Sequence, residues 1–572
     1  MTTPATSPRP PSMLRHALAT HRRSFLLVGL ASLGINLLML TPTIYMLQVY
    51  DRVMVSQNSL TLLVVSLITL ALLVAMAFGE AWRTRLLVRI SDAVDSRLGP
   101  PVFAASFEAS LSAASGQPAR PLGDLTQVRQ FLTGPGVFAF FDAPWTPIYI
   151  AVLFLLHPAL GLCALVFACI QGVLAGWSRR RSLPATTGAN AALAAEGSLV
   201  GSATGNAELI EAMGMGPNLH RRWAALRGAR QHAQEAQHAQ GQRLAAISKF
   251  TRQAQQSLIL GLGALLVIDG ELTAGAMIAA NVLMTRALAP IDLLVGNWRQ
   301  AIGAREAFGR LEALLEAFPP RSATPPEAPP AGRLTLQGVR ATAPGRDSPV
   351  LDGIDLQLEP GTVTVVLGPS GSGKSTLARV LMGVWPQVEG SVLLDGRPLA
   401  GYDRDALGHH LGYLPQDIEL LDGSVAENIA RFAEPDSERV IAAARACGLH
   451  ELILRLPRGY DTPVGAGGGL LSGGMSQRIA LARAVYGDPR LVVLDEPNAN
   501  LDEAGELALG RLVLERRAAG ATLLVISHRP AILACADRVV VLQAGRVRLD
   551  GPRDATLAAL QAPLPAPVAG AA

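Results

Sequence analysis

Residues 368–376 read Gly-Pro-Ser-Gly-Ser-Gly-Lys-Ser-Thr, between a β-branched run at 362–367 and a helix-forming stretch that begins at Leu377. A glycine-rich loop between a buried parallel strand and a helix is the pattern of a phosphate-binding loop, the Walker A motif. Its glycines would let backbone N–H groups turn toward phosphates at a helix N-terminus, where the helix dipole favours anions. The stretch therefore predicts a nucleotide-binding α/β domain.

The predicted ligand of this loop is ATP. Lys374 would supply a point charge to the phosphates, and Ser375 a hydroxyl for Mg²⁺. A glycine-rich turn that matches by accident is the alternative for such a motif alone, and the downstream motifs described below exclude it. The residues predicted to bind ATP are Gly368, Pro369, Ser370, Gly371, Ser372, Gly373, Lys374, Ser375 and Thr376.

Composition indicates a membrane protein of several domains. The chain has 572 residues, of which 50% are hydrophobic and only 16% charged, and a single hydrophobic core does not extend to this length. The net charge of +4 is modest and argues against a nucleic-acid surface. Cys163, Cys169, Cys447 and Cys535 show no metal-ligand spacing, so we expect inert thiols and no disulfides.

The first part of the sequence predicts a helical membrane domain over 25–317. It follows a basic, proline-rich tail, 1–24, which we expect to be disordered and cytoplasmic. A secretory signal is the alternative for the basic start, but the apolar run that follows is long enough to span a bilayer and has no small-residue cleavage site after it. The six predicted spans lie near 25–49, 59–79, 138–156, 159–177, 254–270 and 274–294, the fifth being the least apolar.

Arginine placement predicts the orientation of these spans. Arginines precede the first span and follow the second, fourth and sixth, whereas the other connections are short and poor in Lys and Arg. Positive residues favour the cytoplasmic side, so both termini are expected in the cytoplasm. The segments 80–137 and 178–253 would then extend into the cytoplasm as amphipathic helices.

A proline-rich linker separates the two predicted domains. Residues 318–333 include six prolines in FPPRSATPPEAPPAG, a composition typical of a semi-rigid spacer. From 334 to 560 strands and helices alternate, which predicts an α/β domain on a parallel sheet, and 561–572 reads as a disordered tail.

Residues 334–560 resemble the nucleotide-binding domain of the ABC ATPase superfamily, with its motifs in order. After Walker A these are the Q-loop, the signature, Walker B, the D-loop and the switch histidine. They match Tyr413-Leu414-Pro415-Gln416, Leu471-Ser472-Gly473-Gly474-Met475, Leu491-Val492-Val493-Leu494-Asp495-Glu496, Asn498-Ala499-Asn500-Leu501-Asp502 and Ser527-His528-Arg529. Each motif alone has a structural alternative, but their joint order does not arise by chance.

The resemblance implies a role for each residue. Glu496 would be the general base for the hydrolytic water, with His528 near the γ-phosphate and Gln416 near the attacking water. Mg²⁺ would be held by Ser375, Gln416 and Asp495. Signature residues would cap the γ-phosphate bound to the opposite subunit, beside the D-loop. These are Ser472, Gly473, Gly474 and Met475, with Asp502 in the D-loop.

Three positions depart from the family pattern. Met475 stands where glutamine is usual, so a polar contact beside the signature helix is lost. Ala343 stands near the usual position of an aromatic that stacks on adenine, and we expect weak discrimination of ATP from GTP. Ala466 replaces a glutamate that is frequent just before the signature.

Several stretches further resemble the type I secretion permease/ATPase family, in its protease and lipase exporter branch. They are LTPTIYMLQVYDRVMVSQN at 40–58, FFDAPWTPIYI at 140–150, DGELTAGAMIAANVLMTRALAPID at 269–292, GYLPQDIELLDGSVAENIARF at 412–432 and VVLDEPNANLD at 492–502. The resemblance implies a six-span ABC exporter of the bacterial inner membrane that works as a homodimer. Its cargo would be an unfolded polypeptide with a C-terminal signal, and its partners a periplasmic adaptor and an outer-membrane channel.

Two other functions remain open from the sequence. The first is a lipid or small-molecule exporter of the same architecture, which a lipid-open cleft would favour over a polar cavity lined by residues such as Asn36, Asn281 and Arg286. The second is an ATPase that sits at the membrane without transporting, against which the catalytic residues and six spans argue.

Overall fold

The computed structural model describes residues 13–112, 121–319, 328–343, 345–346, 348–465 and 471–561. The chain forms two compact units that meet in sequence near residue 320. The first is helical and the second is α/β. This order of units confirms the predicted fold class.

Long helices make up the first unit. A π-helix, Val49–Val53, follows α3, and a short 3₁₀ helix, Ala143–Trp145, precedes α8. The α-helices are α1 Met13–Thr20, α2 Arg22–Leu38, α3 Thr41–Gln48, α4 Met54–Ser56, α5 Ser59–Ser112, α6 Pro121–Thr133, α7 Pro135–Asp142, α8 Thr146–Leu156, α9 Pro158–Gly205, α10 Ala207–Ala212, α11 Gly216–Ile268 and α12 Ala274–Ala317.

Within the described ranges, five helical segments are long and apolar enough to cross a membrane. The fifth predicted span, 254–270, coincides with the end of α11 but is not among these segments, so it stays a prediction. Pro42 lies in the first turn of α3, where its missing N–H leaves no carbonyl without a donor. The five segments are Arg22–Ser56, Ser59–Leu111, Pro135–Leu156, Pro158–Trp177 and Ala274–Trp298.

The prediction of a disordered tail over 1–24 is wrong for the residues from Met13 onward, which are helical. Leu14 and Ala17 are 2% and 1% exposed and join a core cluster of the first unit. Arg15 pairs with Glu312 of α12 at 3.0 Å. Tertiary packing against α12 therefore orders a segment whose composition alone favours disorder. Residues 1–12 lie outside the described part of the chain.

A buried polar network joins the first three apolar segments. The Asn36 amide and the Arg83 guanidinium both donate to Asp142 Oδ1, at 2.8 and 3.1 Å, and Arg83 also donates to Ser32 Oγ at 3.0 Å. The Tyr149 hydroxyl donates to the Asn36 carbonyl at 2.8 Å. All five residues are less than 9% exposed. An ion pair is costly among apolar helices, and the hydrogen bonds of this network offset part of that cost, although Arg83 Nε has no hydrogen-bond partner among the described residues.

A second polar contact, which we call the Asp51 clasp, joins the π-helix to the start of α12. Asp51 Oδ2 accepts from the Thr273 hydroxyl at 2.6 Å, and Oδ1 accepts from the Gly275 backbone N–H at 2.8 Å. A carboxylate at a helix N-terminus satisfies free N–H groups and the helix dipole together. The clasp joins two of the stretches that carry the family resemblance, 40–58 and 269–292.

The described residues of the second unit form three sheets. Its strands are β1 Leu334–Thr342, β2 Pro349–Leu358, β3 Val363–Leu367, β4 Val388–Leu394, β5 Arg397–Pro398, β6 Leu411–Leu414, β7 Gly423–Ser424, β8 Pro463–Val464, β9 Leu491–Asp495, β10 Thr522–Ile526, β11 Arg538–Gln543 and β12 Arg546–Pro552. Its helices are α13 Lys374–Leu381, α14 Arg404–Gly408, α15 Val425–Ile429, α16 Ser437–Ala446, α17 His450–Leu454, α18 Gly473–Val485, α19 Glu503–Ala518, α20 Pro530–Ala534 and α21 Arg553–Gln561.

The largest sheet positions the candidate site. Its strand order is β12-β11-β3-β10-β9-β6, and β11, β3, β10, β9 and β6 run parallel. Strands β9 and β10 are buried along their whole length, as expected when helices cover both faces of a parallel sheet. The carboxyl ends of β3, β9 and β10 therefore meet at one edge, where ligands bind in such folds. Strands β2-β1-β4-β5 form a separate antiparallel sheet, and β7 pairs with β8.

The Asp51 clasp predicts that Gly275→Ala destabilises the protein. A Cβ at Gly275 would lie 2.5 Å from Asp51 Oδ1, so the carboxylate must move and lose its hydrogen bonds. Overpacking of this kind costs about 1–3 kcal/mol, which we expect as a lower midpoint of thermal unfolding in detergent. Gly261→Ala in α11, where no atom lies within 4 Å of the added carbon, is the matched control. Equal midpoints for the Gly275→Ala variant and the unmodified protein would contradict the packing argument.

Candidate nucleotide site

The loop 368–373 is anchored by close backbone contacts. A Cβ at Gly368 would lie 2.2 Å from the Leu542 carbonyl oxygen, so only glycine lets the loop leave β3 at this point. Gly373 has φ +98°, and a Cβ there would lie 2.8 Å from Leu351 Cδ2. The Gly545 N–H donates to the Ser372 carbonyl at 3.2 Å, which holds the loop from its other side.

Lys374 begins α13 and turns back over the loop. Its ammonium donates to the carbonyl oxygens of Gly368 and Pro369 at 2.8 and 2.9 Å, and the residue is 8% exposed. A buried cation and the N-terminus of a helix thus lie at the same place, with both fields favouring an anion.

Three oxygen-bearing side chains meet beside the loop. The Ser375 hydroxyl donates to Gln416 Oε1 at 3.1 Å, and Ser375 also contacts Asp495. Asp495 is 2% exposed, and within the described part of the chain its Oδ1 has no hydrogen-bond partner. Burial raises the pKa of the Asp495 carboxyl above its ordinary value, and the hydrogen bond from Ser375 partly offsets this rise. A buried carboxylate oxygen without a donor, beside a hydroxyl and an amide oxygen, is a set of ligands that suits Mg²⁺.

Glu496 and His528 follow neighbouring strands at this edge of the sheet. Asp495 pairs with Ile526 in the parallel ladder, and the Glu496 N–H donates to the Ile526 carbonyl at 3.0 Å. Glu496 has φ +49°, which is strained for a residue other than glycine and is typical of functional sites. The His528 side chain is exposed, two positions beyond Ile526. The structure thus places both predicted residues on the edge that carries the phosphate-binding loop.

The signature residues lie at the start of α18. Ser472 is the N-cap of this helix, and its hydroxyl accepts from the Met475 N–H at 3.3 Å. A Cβ at Gly474 would lie 2.7 Å from the Asn500 carbonyl, which explains the glycine. Met475 is half-buried against the core of the second unit. Among the described residues no hydrogen bond joins Ser472 to the loop 368–376 of the same chain, so these two parts of the predicted site are separate in one protomer.

Two polar residues of α18 that our sequence reasoning missed support the site. Gln477 is 1% exposed, and its amide donates to the carbonyls of Glu496 and Pro497 at 3.3 and 3.0 Å. Arg478 forms an ion pair with Asp502. A glutamine and an arginine five and six residues after the N-cap serine, where α18 is buried, were the available signal.

Asp502 also caps α19. Its Oδ1 accepts from the Gly505 N–H at 2.9 Å. This backbone hydrogen bond lowers the pKa of the Asp502 carboxyl, and the Arg478 charge acts in the same direction. The D-loop is thereby fixed between α18 and α19.

The remaining departures and the thiols can be placed in part. Ala343 follows β1 and is half-buried, whereas Ala466 lies outside the described residues. All four cysteines are free, as expected from their spacing.

Comparison with known proteins matches both units of the chain. The protein-family model for the ABC transporter transmembrane region matches residues 25–290. The protein-family model named ABC transporter matches residues 351–499. The type I secretion system ATP-binding protein PrsD of Rhizobium meliloti is 42% identical over 95% of this chain and 93% of its own length. The alpha-hemolysin translocation ATP-binding protein HlyB of Escherichia coli is 31% identical over 93% of this chain and 76% of its own length. A bacterial Atm1-family ABC exporter solved with ATP bound shares the fold, with a TM-score of 0.79 and 23% identity over 95% of this chain and 97% of its own.

The contacts of Gln477 predict that Gln477→Met lowers the maximal rate of ATP hydrolysis while the KM for ATP changes little. The substitution removes both donors that hold the backbone at Glu496 and Pro497 but touches no residue of the phosphate loop. Loss of buried hydrogen bonds worth about 1–2 kcal/mol corresponds to roughly a tenfold slower rate. Steady-state ATPase kinetics of the purified protein measure both parameters.

Gln387→Met, at an exposed position before β4, controls for the introduction of methionine. An unchanged maximal rate in the Gln477→Met variant, or a loss that falls entirely on KM, would contradict the positioning role.

Proposed function

We propose that this chain exports polypeptides. The proposal starts from its family, because the chain belongs to the ABC transporters, among the type I secretion ATP-binding proteins. The chain is a multi-pass membrane ATPase whose hydrolysis is coupled to transport. The proposed cargo is an unfolded polypeptide with an uncleaved C-terminal signal. One observation carries the proposal: the 42% identity to a type I secretion protein extends over 95% of the chain and so includes the membrane unit as well as the shared ATPase motifs.

In this proposal the loop 368–376 binds the phosphates of ATP. Lys374 and the backbone N–H groups at the start of α13 neutralise the charge of the phosphates. The Lys374 ammonium is suited to this because it already contacts the loop at the Gly368 carbonyl. Ser375, Gln416 and Asp495 would hold Mg²⁺, which when bound neutralises charge that develops on the phosphates. Their arrangement supports this role because Asp495 offers a buried carboxylate oxygen to which no described residue donates a hydrogen bond.

Glu496 is proposed as the general base. Its backbone is fixed at the end of β9 by the hydrogen bond to Ile526 and by Gln477, so its carboxylate is held at the site edge. His528, at the end of β10, would contact the γ-phosphate. Gln416, whose amide oxygen accepts from the Ser375 hydroxyl, would orient the attacking water.

The proposed working unit is a homodimer. In the described part of the chain no hydrogen bond joins Ser472 to Lys374, yet signature and Walker A residues act on the same nucleotide in this family. A symmetric pair of chains supplies both, each ATP lying between the Lys374 of one protomer and the Ser472 of its partner. Closure of the pair on ATP and its reopening after hydrolysis would drive the membrane helices.

The proposed location is the bacterial inner membrane, with both termini in the cytoplasm. Arginine placement around the spans supports this orientation. The proposed partners are a periplasmic adaptor and an outer-membrane channel, which would complete the path of a type I secretion system such as that of the similar protein PrsD.

We expect Glu496→Gln to slow ATP hydrolysis by about 10²–10⁴-fold, the range for loss of a general base, and to trap a closed ATP-bound dimer. Lys374→Ala should prevent nucleotide-driven closure. ATPase assays and cross-linking between protomers in lipid nanodiscs, with ATP and Mg²⁺, measure both effects. Glu515→Gln, on the exposed face of α19, is the control for removal of a carboxylate. Hydrolysis at an undiminished rate in Glu496→Gln would remove that carboxylate from the proposed role.

Export itself is tested with a passenger. A small protein fused to the C-terminal region of a polypeptide encoded beside this chain should appear outside cells that produce the chain, an adaptor and a channel. The same cells carrying the Glu496→Gln variant should retain it. Absence of export for every neighbouring candidate, together with ATPase stimulation by a lipid, would support the lipid exporter instead.

A further inference from the structure

Polar side chains from α11 and α12 face one another beside the apolar segment Ala274–Trp298. Gln256 Nε2 donates to Thr285 Oγ1 at 3.4 Å, and the Ser248 hydroxyl donates to Asp292 Oδ1 at 3.5 Å. Ser248 and Gln256 are eight positions apart on α11, and Thr285 and Asp292 are seven apart on α12, so each pair lies about two turns apart on one helical face. Polar groups at membrane level are costly against lipid and commonly mark a path for a polar substrate.

A cavity of about 440 Å³ opens along this seam. Its lining combines both charge signs with amide and hydroxyl groups, and includes Arg252, Gln255, Thr285, Asp292, Leu293 and Asn297. Its volume lies within the range of small-ligand sites. The cavity thus combines a largely apolar lining, which includes Leu288 and Ala289, with a few donors and acceptors that can pair with a peptide main chain.

One acceptor in the lining has no donor. Gln255 is 1% exposed, and its Nε2 donates to the Met284 carbonyl at 3.4 Å, which orients the amide. Within the described part of the chain its Oε1 has no hydrogen-bond partner. A buried carbonyl oxygen without a donor is unfavourable, so a ligand N–H that donated to it would gain affinity.

We propose that this cavity contacts the main chain of the exported polypeptide, with a backbone N–H donating to Gln255 Oε1. The inference rests on the proposed function and adds a contact site to it. Backbone amides are common to every polypeptide, so this recognition is independent of sequence. Asp292 and Asn297 offer further acceptors, and Arg252 provides a donor for main-chain carbonyls on the same wall.

The test uses the full-length protein in lipid nanodiscs and a fluorescent Ser-Gly decapeptide as the probe. A second decapeptide of the same sequence carries N-methylated backbone amides and so lacks the donors. We expect the N-methylated probe to bind the unmodified protein about three- to tenfold more weakly by fluorescence anisotropy, the effect of one hydrogen bond. Gln255→Leu should weaken the unmethylated probe by a similar factor and leave the methylated probe unchanged.

Gln253→Leu is the matched control, since Gln253 is exposed on the same helix and does not line the cavity. The losses of binding caused by Gln255→Leu and by N-methylation should not add when they are combined, because both changes remove the same hydrogen bond. Equal binding of both probes by the unmodified protein would overturn the proposal, a comparison that holds even if Gln255→Leu misfolds. Equal weakening of both probes by Gln255→Leu would also overturn it. If the passenger is exported while these peptide results fail, the cavity loses its role and the export function stands.

Discussion

The approach of Gly368 to the carbonyl oxygen of Leu542 is the constraint on which the nucleotide site depends. It holds the start of the phosphate loop against the strand β11, while Gly545 holds the loop from the adjoining turn. Because β3 lies between β11 and β10, the same sheet brings the ends of β9 and β10 beside the loop. Asp495, Glu496 and His528 lie at the same sheet edge as the loop because of this strand order, although more than 100 residues separate them from the loop in sequence.

That arrangement is incomplete in a single protomer. The loop 368–376, the residues proposed to hold Mg²⁺ and the proposed base lie at one sheet edge. Ser472 caps another helix, and among the described residues it has no hydrogen bond to the loop. Gln477 and Arg478 connect the signature helix to the backbone after β9 and to the D-loop. A movement of α18 caused by the nucleotide that the partner binds would therefore shift the backbone at Glu496, the proposed general base, of the same chain. The two sites of a dimer would then be mechanically linked through α18.

The sequence alone was sufficient to predict the site residues that lie in short motifs, because a loop, a strand end or a helix cap depends on neighbouring residues in the chain. It correctly indicated the fold class, and the structure places the predicted loop, metal-binding and base residues at one sheet edge. It failed for α1, whose helix depends on burial of Leu14 against residues far along the chain. Arg83 is one of the arginines after the second predicted span from which the orientation was predicted, yet the structure pairs it with Asp142 in a buried network. Gln477 and the partner of Asp51 also required three-dimensional contacts, which a single sequence does not contain.

The Asp51 clasp has a consequence for building chimeric exporters. Its carboxylate comes from one end of the membrane unit's sequence, and the glycine that leaves room for it comes from the other, 224 residues later. Exchanging either segment alone with that of a relative lacking the same pair would leave a crowded or uncapped helix start. Segments 49–58 and 269–276 should therefore be exchanged together, since a chimera that takes both from one parent keeps the Asp51 clasp.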